Sequence, residues 1–239
     1  MTLRLASLAQ GKPLRLAPSA VKGLAQSSRF ALALGIVVVL VALDGTNAAA
    51  QEIGFRGFGD IGGTRFAAAH SFDAVLGTHS GLVFGGGVDA VLPSGVFVGV
   101  RASRFQKNGT RVFVLNDQVF DLGIATTVRV IPIQVTGGYR FKVGRRHVVP
   151  YLAGGVGWFR YSERSDFADA SENVEDTFTG YHVLGGAELR MRRNVGIAGE
   201  AEWSIVPDAL GNDLSGVSSA FDESDLGGIT FRVKIVLGR

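Results

Sequence analysis

From residue 51 onward, apolar side chains recur at every second position, a period that builds strands and rules out amphipathic helices as the main unit. The last stretch is the clearest. Ile229, Phe231, Val233, Ile235 and Leu237 alternate with Thr230, Arg232 and Lys234. Residues 195–205 set Val195, Ile197, Ala201, Trp203 and Ile205 against Ala198, Glu200, Glu202 and Ser204. Residues 181–191, 131–141, 96–102 and 82–92 follow the same rule, while the first and fifth stretches are rich in glycine and less decisive. The pattern predicts eight strands, at 53–66, 79–92, 95–107, 125–141, 147–162, 176–191, 194–206 and 225–237. Short turns (Pro93-Ser94-Gly95, Lys142–Arg146, Arg192–Asn194) alternate with longer loops (67–78, 106–124, 163–175, 207–224), so all long loops belong at one end.

One face of these strands carries the charge: Arg56, Asp60, Asp89, Arg101, Arg140, Glu188, Arg190, Glu200, Glu202, Arg232 and Lys234, six basic and five acidic. The other face is nearly uncharged. A water-soluble barrel would turn the apolar face inward, and a membrane barrel inverts this. Periodicity alone leaves both open. Three features favour the membrane. The strands are mostly long enough to cross a bilayer, which takes about 9–11 residues. The aromatics Tyr139, Phe141 and Tyr151 near a short turn, and Phe159, Tyr161, Tyr181 and Trp203 toward the long loops, suggest two interfacial girdles. The near balance of charge suits enclosed ions, which must pair. Lipid cannot satisfy backbone polar groups, so the sheet must close, with 225–237 pairing with 53–66. Arg and Glu side chains would fill so narrow a cylinder, and no wide pore is expected. Pro132 falls within a strand, where a bulge is the expected accommodation.

The first 50 residues read differently. Arg4, Lys12, Arg15, Lys22 and Arg29 precede fourteen apolar residues, 30–43, and Ala48 and Ala50 stand at small-residue positions before Gln51. This is the order of a secretory signal peptide, and the apolar run is short of the about 20 residues of a spanning helix. The basic segment is long for such a leader, which points to a start nearer Val21. Residues 1–50 are thus expected to be removed, leaving 51–239 as one barrel domain. Of 24 basic and 21 acidic residues, the leader holds five and one, so the body carries 19 against 20 and lacks the basic excess of a nucleic-acid binder. The absence of cysteine excludes disulfides, thiolate metal sites and a cysteine nucleophile.

The leader, the eight alternating strands, the run Pro150-Tyr151-Leu152-Ala153-Gly154-Gly155-Val156-Gly157-Trp158 and the closing Phe231-x-Val233-x-Ile235-x-Leu237 strand together resemble the outer-membrane β-barrel domain family of Gram-negative bacteria, the small OmpA/OmpX-like barrels. The resemblance covers residues 51–239. It implies an all-β, eight-stranded antiparallel up-and-down transmembrane barrel in the cell outer membrane, contacting outer-membrane lipid and inserted by the barrel assembly machinery. Members often end on an aromatic residue, whereas this sequence ends Leu237-Gly238-Arg239.

Sites for chemistry are sparse. Gly57-Phe58-Gly59-Asp60-Ile61-Gly62 fits G-x-G-x-x-G, but strand-like sequence follows where a dinucleotide site needs a helix. Asn108-Gly109-Thr110 reads as a turn. His70 and His79 sit beside Ser71 and Ser80, which leaves an outer-membrane lipid-modifying enzyme open, although no acid is placed by spacing. His182 is expected to be a hydrogen-bonded interior residue. Loops 163–176 and 208–225 are acidic without the spacing of a calcium loop, so no metal or other cofactor is expected. The short turns are basic, through Lys142, Arg145, Arg146, Arg192 and Arg193, which suits anionic headgroups. Loop 106–124 contains RVFVLNDQVFDL, expected either to lengthen two strands into a hairpin that offers a surface partner an edge, or to fold over the mouth as a lid. The residues favour a non-catalytic outer-membrane barrel with a structural or surface-interaction role. They also leave open a soluble barrel holding a small apolar ligand, as lipocalins do, and a narrow solute channel.

Overall fold

Eight strands follow one another in chain order, each antiparallel to the next. They are β1 (Gly54–Phe66), β2 (Ser80–Val91), β3 (Val96–Leu115), β4 (Gln118–Arg140), β5 (Val148–Ser165), β6 (Val174–Arg192), β7 (Val195–Ile205) and β8 (Gly228–Gly238). β8 returns to pair with β1, from Arg56↔Gly238 to Phe66↔Gly228, and the barrel is closed without an edge. The computed structural model describes residues 53–115, 118–141, 147–165, 174–192, 194–210 and 217–238. The expected leader, Asn116-Asp117, the basic turn 142–146, Arg193 and the acidic residues Asp166, Asp169, Glu172 and Asp213 lie outside that description.

Turn chemistry explains the short end. Between β2 and β3 the Gly95 N–H donates to the Leu92 carbonyl at 2.9 Å, and Gly95 takes φ of 100°, a region that favours glycine. Pro132 causes no bulge. Its rung to Phe159 of β5 is kept, while the ladder to β3 skips Ser103 and Arg104 and resumes in unchanged register at Phe105↔Val130. Proline lacks an N–H to donate, and omitting two rungs suffices. The irregularities fall at Thr110/Val112 and at Arg190/Arg192.

At the long end the hairpin alternative holds, and one loop departs from expectation. β3 and β4 run on for 20 and 23 residues, well past the last rung to β2 (Val83↔Phe105) and to β5 (Thr126↔Ser165). The segment expected as loop 106–124 is therefore largely a projecting hairpin. Val119, Phe120 and Leu122 are exposed on it, so it is not the lid. That place is taken by loop 67–78, which folds into helix α1 (Ala69–Leu76). α1 packs against β3, where a side chain at Gly109 would stand 2.8 Å from Leu76. A short helix, α2 (Val217–Ala220), lies in the last loop.

Candidate functional site

The alternation of each strand places its two faces on opposite sides of the barrel wall. Ile229, Phe231 and Val233 face outward with 47%, 65% and 56% of their surface exposed, whereas Arg140, Glu188, Glu200 and Arg232 face inward at 5–6%. Outward apolar residues on every strand, among them Phe55, Phe84, Val100, Ile133, Leu152, Val183 and Ile197, make a continuous greasy exterior. This is the reverse of what a water-soluble apolar-ligand barrel requires.

The middle of the lumen is an ion network. Arg101 reaches Glu200 at 2.7 Å and Glu202 at 3.2 Å. Arg232 lies 2.8 Å from Glu202, whose other oxygen accepts from the Gln134 amide at 3.0 Å. Lys234 Nζ is 2.9 Å from Glu200 and 4.2 Å from the centre of the Phe58 ring, a cation–π distance. Asp60 is held more loosely, 3.7 Å from both Arg101 and Arg232. Toward the short turns Glu188 is shared by Arg56 and Arg140, the latter at 2.8 Å. Asp89 lines the lumen beside them and is half-buried. Arg190 is not part of the lumen. It keeps the regular register, opposite Gly196, but stands at the rim of the barrel, where its side chain is 59% exposed and its Nε lies 3.8 Å from Glu188. His182 is buried with Nε2 2.9 Å from the Thr136 hydroxyl. Gaps in this interior are small, with cavities of about 20 and 30 Å³, each about enough for one water.

Three residues expected in the aromatic girdle face inward. Tyr151, at 6% exposure, donates its hydroxyl to Glu200 at 3.1 Å, and Phe159, at 4%, sits in an apolar cluster at the loop end. Tyr161 packs against that cluster and donates to Glu163 at 3.2 Å. Residues 148–159 of β5, rich in glycine, carry no charge on either face to distinguish them. Register decides, since Arg140 stands opposite Tyr151 and partners share a face. Tyr139 and Phe141 do face outward near a short turn, edge to face at 5.2 Å. Tyr181 and Trp203 are exposed toward the long loops, and Trp158 joins them on the outer face, an aromatic not among those expected there.

The loop-end cluster closes the lumen with hydrocarbon. Phe72 of α1 stacks on Phe66 at 4.2 Å, and Phe105 meets Phe66 edge to face at 4.9 Å. Val128, Val130, Phe159, Val206 and Leu226 complete it. α1 has no capping side chain of its own. Glu223, from the last loop, serves instead, accepting from the backbone N–H of His70 (3.0 Å) and Ser71 (2.8 Å), from the Ser71 hydroxyl (2.6 Å), and lying 3.0 Å from His70 Nδ1. A carboxylate there also meets the positive end of the helix dipole. Burial pushes Glu223 up, but the bonds from Ser71 and His70 outweigh it and hold the carboxyl below its usual range. His79 pairs with Asp73 at 2.9 Å. Ser71 and His70 thus bond separate oxygens of one glutamate; among the described residues no imidazole is hydrogen-bonded to a serine hydroxyl, and no group of three or more acids and histidines is placed to hold a metal.

Fold and lumen define a class: closed eight-stranded up-and-down barrels with an ionic interior, an apolar exterior and a plugged mouth. No family model and no curated protein matches the sequence. Solved structures that it resembles are outer-membrane barrels. They include the N-terminal β-barrel domain of Pseudomonas aeruginosa OprF (11% identity, TM-score 0.46, covering 78% of this chain and 99% of that one). Neisserial surface protein A is similar at 13% identity and TM-score 0.47, covering 77% and 95%. The outer membrane protease OmpT from Escherichia coli is similar at 11% identity and TM-score 0.32, covering 81% and 97%. None of these likenesses carries a task to this chain.

Proposed function

We propose that the protein is an integral outer-membrane barrel with a structural or surface-interaction role, without catalysis and without a wide pore. The observation that carries this reading is the polarity of the wall: paired ions within and hydrocarbon without. In water that arrangement would expose a continuous apolar belt, while in a bilayer the same belt is solvated by lipid. The tight ionic core and the aromatic plug support a closed cylinder. Ser71 and His70 both serve to anchor α1, which supports a non-catalytic reading of that pair. The exposed Val119, Phe120 and Leu122 on the projecting hairpin support a surface contact there. Insertion would call on the barrel assembly machinery, as the resemblance implies.

Fractionation of native cells tests the reading. The protein should remain with outer-membrane vesicles after carbonate washing and need detergent for release. Recovery in the soluble periplasmic fraction would overturn it. A stepwise conductance in planar bilayers would overturn the closed lumen alone.

A further inference from the structure

At the short-turn mouth the lumen opens into a concavity of about 320 Å³ between β6, β7, β8 and β1, lined by Arg56, Glu188, Arg190, Arg192, Val195 and Gly196. Its charge is unbalanced. Glu188, the acid among these, is already engaged by Arg56 and Arg140. Arg190 stands 3.8 Å from Glu188, beyond hydrogen-bond reach, and Arg192 has no acid within ion-pair distance among the described residues. Arg56 is buried at 7% exposure, and its Nη1 has no hydrogen-bond partner. A buried guanidinium nitrogen left unpaired, beside Arg190 with only a long ion pair to an already shared carboxylate and Arg192 with none, is a shortage of acceptor oxygens among the described residues. Gly196 bears no side chain to cover them, and a Cβ there would stand 3.1 Å from Glu188 Oε1.

We propose that this mouth binds a phosphate group. Guanidinium forks match phosphate oxygens in pairs, and phosphate supplies both the acceptors and the charge that are missing. The volume lies at the lower end of small-molecule sites, about 300–1,000 Å³, room for one headgroup-sized moiety. Leu189, Met191, Ile197 and Leu237 face outward on the walls of the same strands, so an anionic glycerophospholipid could lay its chains there and turn its phosphate over the rim. A soluble phosphate ester presents the same chemistry without the chains. The lipid source rests on the membrane reading above; the phosphate site itself does not.

The test uses the full barrel folded in zwitterionic detergent, with native mass spectrometry and calorimetry. Dioleoylphosphatidylglycerol, dioleoylphosphatidylcholine and glycerol 3-phosphate are the probes. Saturable one-to-one retention of phosphatidylglycerol over phosphatidylcholine, weakened about tenfold or more in Arg190→Gln/Arg192→Gln, supports the proposal with a lipid source. Equivalent binding of glycerol 3-phosphate, lost in the same variant, supports the phosphate site and overturns the lipid source. Arg65→Gln, at the far end of the barrel, should bind as wild type. Absence of saturable binding by any probe, or equal binding in the double variant, overturns the proposal. Heat-modifiable gel migration reports folding separately, so loss of binding in a folded barrel is distinguished from failure of the barrel itself.

Discussion

Glu202 shows what a single buried ion does here. It accepts from Arg101, Arg232 and Gln134 in a lumen with almost no room for water. Removing it leaves two guanidinium groups short of a counter-charge, and breaking such a set costs about 3–5 kcal/mol. Glu202→Ala should show that loss in denaturant unfolding from lipid vesicles. Glu223 is the corresponding residue of the cap. A carboxyl held below its unfolded value contributes stability that is full above the ordinary glutamate value of 4.5 and fades as pH falls through the lower folded one. The amides of His70 and Ser71, corrected for intrinsic exchange, should therefore keep their protection above the ordinary glutamate value and lose it as pH falls through the lower folded one. Glu223→Gln should lower that protection already at neutral pH and leave the strand amides unchanged.

Two elements carry most of what is particular to this barrel. α1 places Phe72 in the plug, and Phe72→Ala removes a ring packed against two others. About 3–5 kcal/mol of local stability should go with it, read as faster proteolysis within loop 67–78 while the barrel stays resistant. The β3–β4 hairpin is the opposite case. Beyond Thr110 its rungs run only between its own two strands. Deleting residues 111–122 should leave barrel folding and detergent resistance at the wild-type level; a large drop would mean the hairpin supports the cylinder. The helix was invisible in the sequence because eight residues without a cap of their own give too little period. Its cap stands more than 150 residues away, in Glu223.

For the whole molecule the prediction concerns the sign of the wall. Val233 lies near mid-strand on the outer face, opposite Ile61 and Gly199. Val233→Arg should cost about 2–4 kcal/mol of folding free energy in lipid, the penalty of a charge at bilayer depth. The same change at Val119, on the exposed hairpin, should cost nearly nothing. A soluble barrel would tolerate both.

Strand number, closure, the order of long and short connections and the composition of the two faces were legible in the chain, because a two-residue period survives whatever the strand packs against. Arg140, Glu200 and Arg232 marked one face by charge alone. Tyr151, Phe159 and Tyr161 did not, because residues 148–159 of β5 are uncharged on both faces; cross-strand register assigned them to the lumen. The pairing of Glu200 with Arg101 and Lys234, the plug built on Phe66, Phe72 and Phe105, and the docking of α1 by Glu223 join residues far apart in the chain. Local pattern sets which side of a strand a residue occupies. Only closure of the cylinder sets its height and its neighbour, since both depend on the stagger of all eight strands at once.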